Sequence, residues 1–149
     1  MSKYICLDSS VLIKVFVEEE DSNKALHLIN NIIEQKQLIV LPAFACLEIG
    51  TVLLKKQRKG LSLHDAGDIW LKLRSFPGIE YLEDETLLDL AWTISRSLEM
   101  PTLYDAAFLA AAELIALTTG EICEFWTADE RLCNLLNGRK EYIRLLKAL

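Results

Sequence analysis

The chain has 149 residues, 52% of them hydrophobic, with 16 Lys and Arg against 22 Asp and Glu, a formal charge of −6, and only 2 histidines. That composition fills the core of one domain spanning residues 1–149 and excludes disorder, repeats and low-complexity architecture. The acid excess excludes a protein that coats nucleic acid by charge alone, and the lack of CxxC pairs and of HExxH argues against zinc chemistry.

The first run, "KYICL", reads as a short β-strand ending at Asp8. Ser9 or Ser10 is placed to cap the segment "VLIKVFV" that follows. This N-terminal run has the faint look of a signal peptide, but Asp8 and Lys14 interrupt it and no small-residue cleavage site follows. In "DSNKALHLINNIIEQKQ", Ala25, Leu28, Ile29, Ile32 and Ile33 recur at helical spacing. "LIVL" reads as a buried strand closed by Pro42, and "AFACLEIGTVLLKKQRKG" as a helix with a basic C-terminus and Gly60 as its stop. The longest stretch without Asp, Glu, Lys or Arg runs from Gln37 to Leu47, short of the ~20 residues a membrane span needs. A soluble cytoplasmic protein with no membrane partner is expected. Cys6, Cys46, Cys123 and Cys133 lie in apolar contexts and are expected to be free thiols, as a reducing cytoplasm favours.

"SLHDAGDIWLKLRS" is an amphipathic helix with Leu63, Ala66, Trp70 and Leu73 on one face, broken by Pro77 and Gly78. "IEYL" is a third strand. "DETLLDLAWTISRSLE" opens with acids that suit a helix N-terminus and is expected to bury Leu88, Ala91, Trp92 and Leu98. "YDAAFLAAAELIALTT" is a strong helix ended near Gly120. "CEFWT" is a strand, "ADERLCNLL" a short helix, and "EYIRLL" a last strand or helix. Continuous apolar strands alternating with helices predict a mostly parallel central sheet in a three-layer α/β/α sandwich. In such sheets ligands bind beyond the carboxyl ends of the strands.

Most acids, such as "EEED" at 18–21, Glu34 and Glu83 to Glu85, read as solvated faces and caps. Four stand apart. Asp8 ends the first strand; Glu48 sits in the uncharged run "PAFACLEIGTVLL"; Asp105 starts "DAAFLAAA"; Asp129 follows "EFWT" by two residues. Asp8 alone fits an Asx-turn, Asp105 an N-cap, Asp129 a first-turn acid, and Thr127 with Glu130 a capping box. Glu48, inside its helix, caps nothing, and its structural alternative is a Lys or Arg partner. If the first and fourth strands are parallel, all four acids reach one sheet edge. Two unit charges about 4 Å apart repel by roughly 4 kcal/mol at an effective dielectric of about 20. Such a group needs protons or a cation, and oxygen donors without His or Cys select Mg²⁺ or Mn²⁺.

"CLDSSVLIKVFVEEE", "LPAFACLEIGTVL", "YDAAFLAAAE" and "WTADERL", in that order, resemble the PIN-domain ribonucleases and, among them, the small single-domain VapC-like toxins of toxin–antitoxin systems. The resemblance covers nearly the whole chain. It implies a PIN-like parallel sheet and an acidic site for one or two divalent ions. Asp8 matches the first ligand Asp, Glu48 the helix Glu, Asp105 the third acid and Asp129 the Asp of the closing TxD. Thr127 matches the supporting hydroxyl and Ser10 a small hydroxyl beside the site. The implied activity is Mg²⁺- or Mn²⁺-dependent endonucleolytic hydrolysis of phosphodiesters in single-stranded or exposed loop RNA. The implied partners are that RNA, a small antitoxin and a second copy of the chain.

Lys14 is a candidate substrate contact, or a Lys whose stem lies along the edge of the core. "KKQRKG" could meet phosphates, although cations also complement a helix C-terminus. Trp70, Trp92 and Trp126 are expected in the core. Asp105 and Asp129 stand 24 residues apart, more than compact members carry, the excess lying in "ALTTGEICE" as a longer helix or a loop. An alternative function is a PIN-like RNA- or protein-binding module without catalysis, for which loss of an acid would be the sign. A haloacid dehalogenase-type phosphatase would need an Asp where Ser10 stands, and a receiver domain would need a Lys after "EFWT".

Overall fold

The computed structural model describes residues 2–149, the side chain of Leu63 excepted; its placement on the helix face named above lies outside the described residues. Five strands form one parallel sheet: β1 (Tyr4–Leu7), β2 (Leu38–Pro42), β3 (Ile79–Leu82), β4 (Glu124–Thr127) and β5 (Ile143–Leu145), in the order β3-β2-β1-β4-β5. Their connections carry α1 (Ser9–Phe16), α2 (Ser22–Glu34), α3 (Ala45–Arg58), α4 (Leu63–Arg74), α5 (Glu85–Leu98), α6 (Leu103–Thr119) and α7 (Glu130–Leu135). The layers form the expected α/β/α sandwich. "EYIRLL" supplies β5 and then a 3₁₀ turn, Leu146–Ala148.

The register sets Cys6 beside Val40 on one side and Phe125 on the other. From β1 the chain steps outward to β2 and β3, then returns to the other flank of β1 as β4. The carboxyl ends of β1 and β4 therefore border the crevice where strand order reverses. Asp8 leaves β1 there, its N–H donating to Trp126 O at 2.9 Å, and Asp129 leaves β4 at the same edge.

The core is built where apolar runs meet. Leu7, Val40, Leu41 and Phe125 are fully buried in the sheet, and α6 is buried without a break from Ala106 to Ala112. A helix apolar on all sides has to be an interior helix. Its alanines allow close approach to β1, where Cys6 Sγ reaches Phe108 O at 3.5 Å. Burial of a side chain such as Phe108 is worth about 1.5–3 kcal/mol.

Several local expectations are corrected. Neither Ser9 nor Ser10 caps α1: both are helical residues, and Asp8 holds the N-cap position without a side-chain cap bond. On α5 the buried residues are Leu87, Ala91, Ile94 and Leu98, whereas Leu88 and Trp92 are 62% and 55% exposed. The packed stripe is turned toward α6, one position away from the stripe chosen by hydrophobicity alone. Ile33 is likewise exposed while its four companions on α2 are buried. Of "ALTTGEICE", residues 116–119 form the last turn of the 17-residue α6, residues 120–123 a loop that starts with Gly120 at φ 74°, and Glu124 the first position of β4. All four cysteines are free; three are buried and Cys133 is half-buried. Among the described residues, no single helix is long and apolar enough to cross a membrane.

Candidate active site

Asp8 is the most constrained of the four acids. It is 7% exposed, and its Oδ2 accepts from Thr127 Oγ1 at 2.7 Å and from Ser10 Oγ at 3.0 Å. Each hydroxyl in turn accepts a backbone N–H: Thr127 that of Asp129 at 3.0 Å, and Ser10 that of Ala128 at 3.1 Å. Two peptide dipoles are thus relayed through two hydroxyls onto one carboxylate oxygen. Thr127 is therefore committed to Asp8 and forms no capping box with Glu130. The cap of α7 is Asp129 itself, whose Oδ1 accepts from the N–H groups of Arg131 and Leu132 at 2.9 and 3.2 Å.

Glu48 stands in the first turn of α3 and points toward α1. Its Oε2 accepts from Ser9 Oγ at 3.2 Å, while its Oε1 is buried without a hydrogen-bond partner. It has no Lys or Arg partner among the described residues, so the structural alternative for this Glu does not hold. Ser9 Oγ also lies 3.5 Å from Asp8 Oδ1, which sets one hydroxyl between two carboxylates. Asp105 begins α6, where Thr102 is the cap. Thr102 Oγ1 accepts the Asp105 N–H at 3.3 Å and lies 3.4 Å from Asp105 Oδ2.

The electrostatics tie these groups together. Burial pushes the Asp8 carboxyl up, its hydroxyl donors pull it back, and the Asp105 charge pushes it up again, for a net rise. Glu48 is pushed up to about 7 by burial first and by the charges of Asp8 and Asp105 after it, against the Ser9 hydrogen bond. Asp105 is raised by burial and by Asp129, against Thr102. Asp8, Glu48 and Asp105 thus lie in one another's field, and Asp129 in that of Asp105. They are not closed to ligand spacing: among the described residues, no three His, Cys, Asp or Glu side chains form a ready-made metal cluster. Asp129 caps α7 through Oδ1 alone and Asp105 meets Thr102 through Oδ2 alone, so each keeps its second carboxylate oxygen for another partner.

Two depressions open beside the acids. One of about 380 Å³ is lined by Glu48, Phe44, Tyr104 and Lys55, with Phe44 and Tyr104 edge to face at 5.1 Å. The other, about 340 Å³, is lined by Ser10, Asp129, Lys14, Glu19 and Lys56. A third, apolar groove of about 410 Å³ between α3 and α4 carries no acid.

The sequence model of the PIN domain matches residues 5–135 of the chain. The chain belongs to the PIN-domain family. This PIN domain is also similar in fold to two solved structures. PAE2754 from Pyrobaculum aerophilum superposes with a TM-score of 0.61 at 20% identity, over 97% of this chain and 93% of that one. A toxin–antitoxin complex from Klebsiella pneumoniae gives a TM-score of 0.61 at 17% identity, over 95% of this chain and 97% of the other. No curated protein matches the chain.

Lys14 does not point freely at the acids of this PIN domain. Its Nζ is held by Glu19 at 3.3 Å and by the Glu20 carbonyl at 2.8 Å. Of the three tryptophans, Trp92 is exposed and Trp70 and Trp126 are half-buried. Ser9, Glu19 and Tyr104 escaped the sequence reading as site residues, whereas Lys56 lay in "KKQRKG", already a candidate phosphate contact. The signal for Ser9 was the pair in "DSS", two hydroxyls that a helix turns to different sides of one Asp. Tyr104 could have been flagged as the aromatic neighbour of Asp105, and it is 58% exposed.

Proposed function

We propose that this PIN domain is a Mg²⁺- or Mn²⁺-dependent endoribonuclease acting on single-stranded or exposed loop RNA, and that it is the toxin of a VapBC-type pair. The single observation that carries the reading is the buried, unpartnered Glu48 Oε1 facing the field of two further raised carboxylates. An orphaned acid oxygen among other acids fits a divalent cation, and the oxygen-only donor set fits Mg²⁺ or Mn²⁺. Asp8, Glu48, Asp105 and Asp129 would hold the ion, directly or through water.

Bound there, the ion supplies Lewis acidity, acidifying water and offsetting the charge that builds on the phosphate. The protein's own part is preorganisation. Thr127 and Ser10 both load Oδ2 of Asp8, which leaves Oδ1 as the freer oxygen for a cation. Ser9 bridges Asp8 and Glu48 and sets the spacing of two ligands from different elements. Asp129, fixed by two backbone donors, adds negative charge at the rim.

The toxin–antitoxin neighbour supports a small antitoxin as the masking partner. Leu47 and Leu54, 71% and 57% exposed on the helix that carries Glu48, offer apolar area for such a partner or for a second copy of the chain. A cytoplasmic setting suits the free thiols.

The test is cleavage of structured RNAs by purified protein in Mg²⁺, Mn²⁺ or EDTA. Asp105→Asn should stay folded, with a cooperative melt, and lose metal-dependent cutting by about 100-fold or more. Equal cutting by both proteins would sink the assignment. RNA binding without cutting by the wild type would select the non-catalytic module instead.

A further inference from the structure

Lys14 and Lys56 come from different helices, α1 and α3, and meet on one carboxylate. Glu19, in the connection from α1 to α2, faces Lys14 Nζ through Oε1 at 3.3 Å and Lys56 Nζ through Oε2 at 2.9 Å. The Lys14 and Lys56 side chains are 16% and 31% exposed, so the ammonium groups are held in place rather than free in solvent. Burial alone would raise the Glu19 carboxyl, but Lys56 and Lys14 outweigh it and hold the group below the usual carboxylate range.

A clamp of this kind joins the α1–α2 connection to α3. Its location gives it a further use. Two cations on one anion leave a local excess of positive charge in a chain of formal charge −6. The three groups lie in the depression that also contains Ser10 and Asp129 of the acidic site, where the Asp129 carboxylate brings the formal charge of the lining to zero, so the two ammonium groups are open to another anion only where Glu19 gives way. An RNA strand with its scissile phosphate at the acids has to carry neighbouring phosphates past this rim. Lys ammonium groups are compact point charges suited to phosphate oxygens. Without such a contact, the acidic surface repels the strand it is meant to receive.

We propose that Lys14 and Lys56 form a binding site for a backbone phosphate of the RNA strand next to the scissile position, and that Glu19 is the internal anion which that phosphate displaces. The inference rests on the nuclease reading above and extends it to how an acidic protein takes hold of RNA.

The test pairs steady-state cleavage in Mg²⁺ with anisotropy binding of a labelled single-stranded RNA in EDTA across a salt series. Lys56→Ala and Lys14→Ala should each raise KM roughly 3–10-fold, with the loss falling on KM rather than kcat. Each should also flatten the slope of log affinity against log salt by about 0.7, the share of one phosphate contact on a single strand. Lys56→Arg should retain binding, and Glu19→Gln should lower KM and steepen the salt slope. A purely structural clamp predicts the reverse for Glu19→Gln: a lower melting temperature and weaker RNA binding. That result, or an unchanged KM and slope in Lys56→Ala, overturns the proposal. Lys56 is the more exposed lysine, so its truncation decides the matter if Lys14→Ala does not fold. If the wild type cuts no RNA, the nuclease reading falls, while the salt slopes in EDTA still score the phosphate site on their own.

Discussion

At the scale of single residues, the hydroxyl of Thr127 is the fully buried link between β4 and the acidic site. It donates to the buried Asp8 at 2.7 Å and accepts the Asp129 N–H. Thr127→Val keeps the shape and removes both bonds. A hydrogen bond to a charged group is worth about 1.5–3 kcal/mol, so unfolding in denaturant should show a loss of that order. Activity should fall with it, because Asp8 loses one of the two donors that orient it. A Thr127→Ser variant, which restores the hydroxyl, should recover most of both. "WTAD" marked this residue in the sequence, whereas its partner was 119 positions away and no local pattern reported the pairing. Ser9 shows the same limit, since a Ser after an Asp is a cap as readily as a bridge between carboxylates.

At the scale of elements, the strands and helices were legible because each carries its own period and its own stop. Which stripe of a helix is buried was less so. On α5, the choice between Leu88 with Trp92 and Leu87 with Ile94 depends on where α6 lies, and only the packed structure says. The Glu19 clamp was unreadable for a related reason: it joins α1 to α3 through a loop acid that looked solvated. The extra length before β4 was visible as a number but not as a shape, and it divides between the last turn of α6 and a loop over residues 120–123. Gly120 ends that helix in the left-handed region at φ 74°, where a side chain is strained. Gly120→Ala should therefore cost about 1 kcal/mol of stability in a denaturant melt. It should leave cutting intact, because the helix puts Asp105 about 22 Å from that turn.

At the scale of the whole molecule, the acidic site works against the metal-free fold. Glu48 holds its proton up to about 7 in the folded protein but releases it near 4.5 when unfolded. A raised carboxyl contributes stability that is fully present below the unfolded value and is lost as pH rises through the folded one. Asp8 and Asp105 shift in the same direction. In EDTA, the melting temperature should fall between about pH 4.5 and pH 7. Glu48→Gln, which removes the charge and keeps the shape, should flatten that fall. Mg²⁺ should restore the wild type at neutral pH and do less for the variant, as ligand linkage requires. A melting temperature that rises across this window would contradict the assigned field. The Glu19 contribution has the opposite sign and acts only below the usual carboxylate range, so it does not mask the effect.

All five strands run the same way, so the sheet has a front and a back. The back, where Tyr4, Leu38, Ile79, Glu124 and Ile143 begin their strands, carries none of the four site acids Asp8, Glu48, Asp105 and Asp129. A tether, dye or solid support attached on that side, for example through a thiol introduced at Lys3, would leave the mouth facing outward. The same attachment near Ala128 would stand in the doorway. An immobilised assay for partners or RNA thus has a built-in orientation control: identical chemistry at opposite ends of the strands, with capture expected from only one of them.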